Sequence, residues 1–204
     1  MRFERAYSRI SDGIILEYSQ EIANYKMDSA LGKIYNRDIG RKLIDKITDL
    51  STEDKKVTIN LHYDSPSFSF PELSYPQLFK SGLYPYGSEV DRVIHAEMIS
   101  RKQGLFRKGE GVPAQIYYNP TDKTTDQEHA NESEEEGFIS LAHELIHCMR
   151  YLKGTSRANN FGHYADRESI VQEKRAIGLN QFAIKTITEN NIRKEHGLPK
   201  RKAI

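Results

Sequence analysis

The sequence has few of the features that are typical of disulfide-stabilised, membrane-spanning or nucleic-acid-binding proteins. One cysteine, Cys148, in 204 residues excludes an intramolecular disulfide framework. No apolar run approaches the roughly 18 residues of a membrane-spanning helix, and the N-terminal residues lack the apolar segment of a secretory signal. Thirty basic residues against 29 acidic ones leave a net charge of +1, without the excess typical of proteins that bind polyanions along their whole surface. We therefore expect no nucleic-acid and no membrane partner.

Length and composition indicate one well-solvated domain. Hydrophobic residues make up 37% of the chain, and the mean hydropathy is −0.69. A chain of 204 residues is long enough to bury one hydrophobic core, but it is short for two domains that each have a core of their own. We predict a flexible N-terminus over residues 1–15, a single domain over residues 16–204 and a monomer. The basic segment 193–202 has no interleaved aromatic residues, so we interpret it as a solvated or docking terminus.

The periodicity of apolar residues predicts a mixed α+β fold. A helical stripe runs from about residue 31 to residue 50, although Gly32 and Gly40 weaken it. Alternation predicts strands over 57–63 and 114–118, separated by a proline-rich irregular excursion (64–88) and a short helix (89–101). A polar, acidic loop over 121–136 precedes two helices, predicted over 137–153 and about 167–187. The sequence therefore predicts a small sheet ahead of paired helices.

The first of these helices carries a motif with metal-ligand spacing. Residues 143–147 read His-Glu-Leu-Ile-His. Because His143 and His147 are four residues apart, their imidazoles project from one helix face and can reach one Zn²⁺. Glu144 lies beside the open position of such an ion, where it can act as general base and then as general acid in peptide hydrolysis. This pattern predicts a zincin-like domain with an active-site helix and one zinc ion per chain.

A third ligand must come from elsewhere, and two extended motifs are excluded. The extended motif His-Glu-x-x-His-x-x-Gly-x-x-His requires Gly and His where this chain has Arg150 and Lys153. The motif Gly-Thr-x-x-Asp-x-x-Tyr-Gly requires Asp where this chain has Ala158. The second helix offers Glu168 and Glu173. We favour Glu173, which lies at the apolar edge of that helix, because an acidic residue in the first turn usually complements the helix dipole.

An oxyanion donor is also needed, since negative charge develops on the carbonyl oxygen during hydrolysis. His163 and Tyr164, between the two helices, are the candidates, and Tyr151 is a weaker one. Cys148 points about 100° away from His147 on the helix, so we interpret it as a small core residue and not as a nucleophile.

Four stretches carry a resemblance to a known family. They are 100–111, with Ser-Arg-Lys at its start and Phe-Arg-Lys-Gly-Glu-Gly at its end, then Leu141–His147, Gln172–Leu179 and Asn191–Pro199. On these residues the chain resembles, over roughly 90–199, the NleD-type family of type III secreted effector zinc metalloproteases of bacterial pathogens. The His-Glu-x-x-His motif is common to many peptidases, whereas the last two stretches are specific to this family. Where relatives often have Glu-Glu, this chain has Gln172-Glu173, which leaves Glu173 as the matching carboxylate.

The resemblance implies a zinc endopeptidase secreted by a type III system into the host cell cytosol. Its implied substrates are host stress-activated mitogen-activated protein (MAP) kinases, cut in the activation loop. Two alternatives remain open at the level of sequence. One is a non-catalytic interaction protein whose zinc is structural, which would need a fourth ligand such as His163. The other is a regulatory peptidase of the bacterial cytoplasm, although no helix-turn-helix is evident beside the motif.

Overall fold

Five strands form one sheet in the computed structural model, which describes residues 3–102, 107–122, 137–157 and 167–204. In chain order the strands are β1 (Glu4–Tyr7), β2 (Ile14–Tyr18), β3 (Val57–Leu61), β4 (Phe68–Pro71) and β5 (Ala114–Tyr118). Their order across the sheet is β1-β2-β3-β5-β4. The three central strands run parallel to one another, and each outer strand is antiparallel to its neighbour. Both edges of the sheet are therefore formed by short antiparallel strands.

Helices pack against this sheet and complete the core. The helices of the described residues are α1 (Glu21–Tyr35), α2 (Asp38–Leu50), α3 (Tyr75–Lys80), α4 (Glu89–Ser100), α5 (Gly137–Lys153), α6 (Arg167–Ile177) and α7 (Glu189–Glu195). The helices α1, α2 and α5 pack on one another and carry the core with the sheet. None of the described helices combines the length and the apolarity that crossing a bilayer requires. The predicted α+β architecture, one domain with a small sheet ahead of two helices, is confirmed.

The alternation of residues along the strands determines which face of the sheet is buried. Ile59 pairs in register with Leu16 on one side and with Ile116 on the other, and all three side chains are fully buried. The intervening Thr58 and Gln115 lie on the opposite, half-exposed face. Because side chains alternate with period two, these patterns were sufficient to predict β3 and β5.

The helical stripe over 31–50 belongs to two helices. The chain leaves α1 after Tyr35, passes through an extended Arg37 and begins α2 at Asp38. A side chain at Gly40 would collide with the Ile34 carbonyl oxygen at the end of α1. The glycine that weakens the predicted single helix therefore allows two helices to meet closely.

The N-terminal segment and the 64–88 excursion differ from their predictions. Residues 4–7, expected within a flexible terminus, form the edge strand β1, in which Arg5 donates to Glu17 at 3.1 Å. This strand is mostly exposed, so it lacks the alternation that reveals a half-buried strand. The excursion contains β4 and α3, and Ser74 and Gln77 form a capping box at the start of α3. That Ser-x-x-Gln spacing was a signal available in the sequence.

The helix predicted over about 167–187 is shorter. α6 ends at Ile177, and Gly178 follows with a φ of +89°, a conformation that favours glycine. A short 3-10 turn (Asn180–Phe182) then leads to α7. This separation of α6 from α7 matters for the site, because each of the two helices supplies one carboxylate.

Candidate active site

The two motif histidines share one buried face of α5. His143 and His147 are 7% and 5% exposed, and their Nε2 atoms are 3.0 Å apart. Most of α5 is buried around its whole circumference, because it packs against the sheet and against α1, α2 and α7 at once. The histidines are therefore held by a rigid central helix.

Glu173 reaches the histidines from α6. Its Oε2 lies 3.0 Å from His143 Nε2 and its Oε1 lies 3.2 Å from His147 Nε2. One ligand atom from each of the three residues lies within 4.8 Å of the others. Glu168, the other candidate from the sequence, is exposed in the first turn of α6. The structure thus brings together His143, His147 and Glu173.

This cluster is suited to a cation. Burial opposes charge on Glu173, yet the two histidines outweigh it and hold the pKa of this carboxyl well below its usual range. Burial likewise opposes charge on His143, but hydrogen bonds to Glu173 and Glu189 raise its pKa to about 10. Both Nε2 atoms and the Glu173 carboxylate converge on one point, where a metal ion would replace the proton that His143 Nε2 otherwise holds. Two imidazoles and one carboxylate form a donor set that fits Zn²⁺ with an open position.

A second carboxylate, which the sequence analysis did not find, orients His143. His143 Nδ1 lies 2.8 Å from Glu189 Oε2, and Glu189 is fully buried at the start of α7. Arg193 Nε donates to the other oxygen at 2.7 Å, and Arg201 approaches Oε2 at 3.5 Å. A proton held on Nδ1 leaves the Nε2 lone pair free for a metal.

The same contacts correct the interpretation of the C-terminal segment. Arg193 is 3% exposed, and Arg201 exchanges two backbone-to-side-chain hydrogen bonds with Asn190. The basic residues of 193–202 that face Glu189 are therefore structural partners of the site and not a solvated terminus. In the sequence, Glu189 resembles any acidic residue in a first helical turn, so no local signal distinguished it.

Glu144 lies beside the cluster and receives a hydrogen bond from the edge strand. Ser69 Oγ of β4 donates to Glu144 Oε2 at 2.6 Å. Burial raises the pKa of Glu144, while His143, His147 and the Ser69 hydrogen bond lower it in part. Oε1 has no hydrogen-bond partner in the part of the chain that the structure describes. Ser69 therefore fixes one oxygen and leaves the other available.

These residues open into a cleft of about 540 Å³, which we call the histidine cleft. Its walls are mainly apolar, and it borders β4 at the sheet edge. The lining residues are Phe68, Ser69, Phe70, Glu89, Val90, Val93, His143, Glu144, His147, Tyr151 and Glu173. An apolar cleft with a few convergent polar groups is typical of a substrate site.

The remaining predicted residues have different outcomes. His163 and Tyr164 lie outside the described residues, so their roles stay predictions. Tyr151 lines the cleft and is 1% exposed, as a packed wall residue would be. Cys148 is a buried free thiol in the core, as predicted.

The cluster that is suited to a metal ion lies beside Glu144 in an open cleft at the sheet edge. This arrangement is typical of hydrolases, so the protein is a candidate hydrolase. Comparison with protein families agrees. The family model Peptidase M91, described as effector protein, matches residues 15–203, and the chain belongs to this family. No curated protein and no solved structure matches the chain at the threshold of significance. Membership confirms a peptidase of an effector family, while the relation to the NleD type in particular stays a prediction.

Proposed function

We propose that the protein is a zinc-dependent endopeptidase that a type III system delivers into the host cell cytosol, where it acts as a monomer. The observation that carries this proposal is the convergence of His143, His147 and Glu173 beside Glu144 in an open cleft. Among the described residues the donor set has three protein ligands, and an open fourth position is typical of catalytic rather than structural zinc sites. Membership in an effector peptidase family supports the same chemistry.

The residues of the cleft divide the reaction between them. Zn²⁺ bound by the three ligands would polarise the scissile carbonyl and lower the pKa of a water molecule. Glu144 Oε1 would take the proton from that attacking water and later donate it to the leaving amine. Ser69 holds Oε2, so the carboxylate keeps its orientation through both transfers. We assign stabilisation of the carbonyl oxygen to His163 or Tyr164, as the sequence predicts.

An extended substrate would lie along β4. The strand β5 cannot accept the substrate as an added strand, because it is paired with β3 on one edge and with β4 on the other. The outer edge of β4 is the sheet edge beside the cleft, and Phe68, Ser69 and Phe70 of this strand line it. Main-chain pairing at this edge would place a peptide across Glu144.

The proposed substrates are host stress-activated MAP kinases, cut in the activation loop. This part of the proposal depends on the resemblance described above. An effector peptidase acts on host proteins, and an activation loop is an extended segment that can enter a cleft at a sheet edge.

The test is to incubate the purified protein with a panel of host MAP kinases and to measure intact masses. The matched control is Glu144→Ala, and bound zinc is measured in both proteins. We expect specific fragments from the wild type alone and equal zinc in the two proteins. A zinc-loaded wild type that cuts neither the kinases nor an unfolded model substrate such as casein would contradict the endopeptidase. Cleavage of casein alone would support the endopeptidase and contradict only the proposal that MAP kinases are its substrates.

A further inference from the structure

A second pocket concentrates positive charge away from the histidine cleft. It has a volume of about 430 Å³, and none of its described lining residues also lines the cleft. Six basic side chains line it, and we call it the cationic pocket: Lys102, Lys108, Lys153, Arg157, Arg175 and Lys185. The chain as a whole has a net charge of +1, so this cluster is a local segregation of charge and not a consequence of a basic protein.

Backbone hydrogen bonds hold the pocket together from segments far apart in sequence. Lys102 N donates to Ser156 O at 3.1 Å, and Gly109 N donates to Gly154 O at 2.9 Å. These bonds place Lys102 and Lys108 beside the segment that follows α5. The last turn of α6 adds Arg175, and the turn after it adds Lys185, whose N donates to Phe182 O at 3.0 Å. The cations are therefore gathered by tertiary structure.

The six cations lack counter-ions among the described residues. In the described part of the chain, none of them forms an ion pair with a carboxylate, and no acidic residue lines the pocket. The pKa of Lys153 is lowered by burial and then by the nearby Lys108, Lys46 and Arg175. Like charges held together without partners cost free energy that a bound anion would recover.

The remaining lining narrows the class of ligand. Thr155 offers a hydroxyl, and Val171 and Phe182 provide apolar surface. A volume of about 430 Å³ lies within the usual range for small-molecule sites and exceeds the needs of a single inorganic anion. A single-stranded nucleic acid would need an extended groove with several stacking platforms, whereas one aromatic side chain of the described residues, Phe182, lines this pocket.

We propose that the cationic pocket binds a compact ligand that carries several phosphate groups. Lys and Arg both bind phosphate oxygens, and the mixture of the two around a concave surface allows several groups to be held at once. The phosphates can belong to a soluble polyphosphorylated ester or to the headgroup of a phosphorylated lipid. The inference does not depend on the proposed peptidase chemistry, because no residue of the histidine cleft is involved.

The test is isothermal titration calorimetry of the full chain at physiological salt. The probes are inositol hexakisphosphate and tripolyphosphate, compared with inorganic phosphate. We expect one binding site for the polyphosphates, an affinity at least tenfold weaker for inorganic phosphate, and a rise in Tm with bound ligand. Phosphatidylcholine vesicles with and without phosphatidylinositol bisphosphate form the second arm. Sedimentation with the phosphorylated vesicles alone assigns a lipid headgroup, and binding of soluble probes alone assigns a free ester.

A matched pair of variants separates a site from general charge. Lys108→Gln/Lys153→Gln removes two charges from the pocket, whereas Lys42→Gln/Lys200→Gln removes two exposed charges outside it. We expect the pocket variant to lose at least tenfold in affinity and the control to stay within twofold of the wild type. Polyphosphates also chelate zinc, but both variants keep the same metal ligands, so chelation cancels in the comparison. Equal losses in the two variants, or equal affinity for inorganic phosphate, would overturn the proposal.

Discussion

The histidine cleft and the cationic pocket use charge in opposite ways. In the cleft each buried or half-buried carboxylate of the site faces a donor: Glu144 faces Ser69, Glu173 faces both histidines, and Glu189 faces His143 and Arg193. In the pocket six cations lie together, and no carboxylate of the described residues pairs with them. In the first arrangement every carboxylate has a protein partner, whereas in the second the cations have charge left for an external partner.

The difference shows which region the fold depends on. A buried charge without a partner is strongly unfavourable, so the charges of the cleft must be matched within the chain. The pocket cations are exposed or half-buried, so water can tolerate their mutual repulsion. Substitutions in the cleft should therefore damage catalysis, metal binding or stability, whereas substitutions in the pocket should leave the fold intact.

The largest effect is expected from Glu144→Gln. The amide keeps the shape and the contact with Ser69 but cannot accept the proton, so kcat should fall by about 10²- to 10⁴-fold. Zinc content, measured by mass spectrometry of the native protein, should not change. A variant that retains wild-type turnover would remove Glu144 from the role of general base.

Glu189→Gln should weaken zinc binding by about 10- to 100-fold, because His143 loses the carboxylate that fixes its tautomer. Competition with a chromogenic chelator measures the affinity. Glu168→Gln, an exposed position on α6, is the control and should match the wild type. The Glu189→Gln variant would also leave Arg193 with a neutral partner, so its Tm should fall even at saturating zinc. Unchanged zinc affinity in a folded Glu189→Gln variant would show that this carboxylate is structural only.

Ser69→Ala should lower kcat by about tenfold, the lower end of the value of a hydrogen bond to a charged group. KM and zinc content should stay nearly constant, because Ser69 acts through Glu144. Ser69→Thr, which keeps the hydroxyl, should recover much of the activity, and Ser29→Ala on the exposed face of α1 should have no effect. A rise in KM with unchanged kcat would instead place Ser69 among residues that contact the substrate.

The smallest effect is expected from Lys153→Gln. Removal of one of several neighbouring like charges should change the free energy of unfolding by only about 0.5 kcal/mol, in the stabilising direction. Urea denaturation, followed by circular dichroism, measures this change. A loss of more than about 1 kcal/mol would show that Lys153 has a stabilising partner and would weaken the contrast between pocket and cleft.

Local pattern was sufficient for the elements that carry most of the chemistry. The period-two alternation in β3 and β5 and the helical period of α5 predict these elements, and the i, i+4 spacing puts His143 and His147 on one face. Sequence reasoning also selected Glu173 over Glu168 from its place at the apolar edge of α6. Each of these features depends on residues within one or two turns of one another.

The rest depended on contacts between distant segments. Ser69 lies 75 residues from Glu144, and Glu189 lies 46 residues from His143, so no periodicity connects either pair. The exposed strand β1 and the edge strand β4 gain their structure from partners and not from alternation. The cationic pocket likewise joins the segments before β5, after α5 and after α6.

The sequence by itself determined a helix with two histidines on one face, the glutamate proposed as the catalytic base and a mixed fold, because helix and strand periods turn residue spacing directly into shared faces. Only the tertiary structure decided which carboxylate orients His143, which strand borders the cleft and where unpaired charge gathers. These features depend on how whole elements pack, and packing is a property of the complete core.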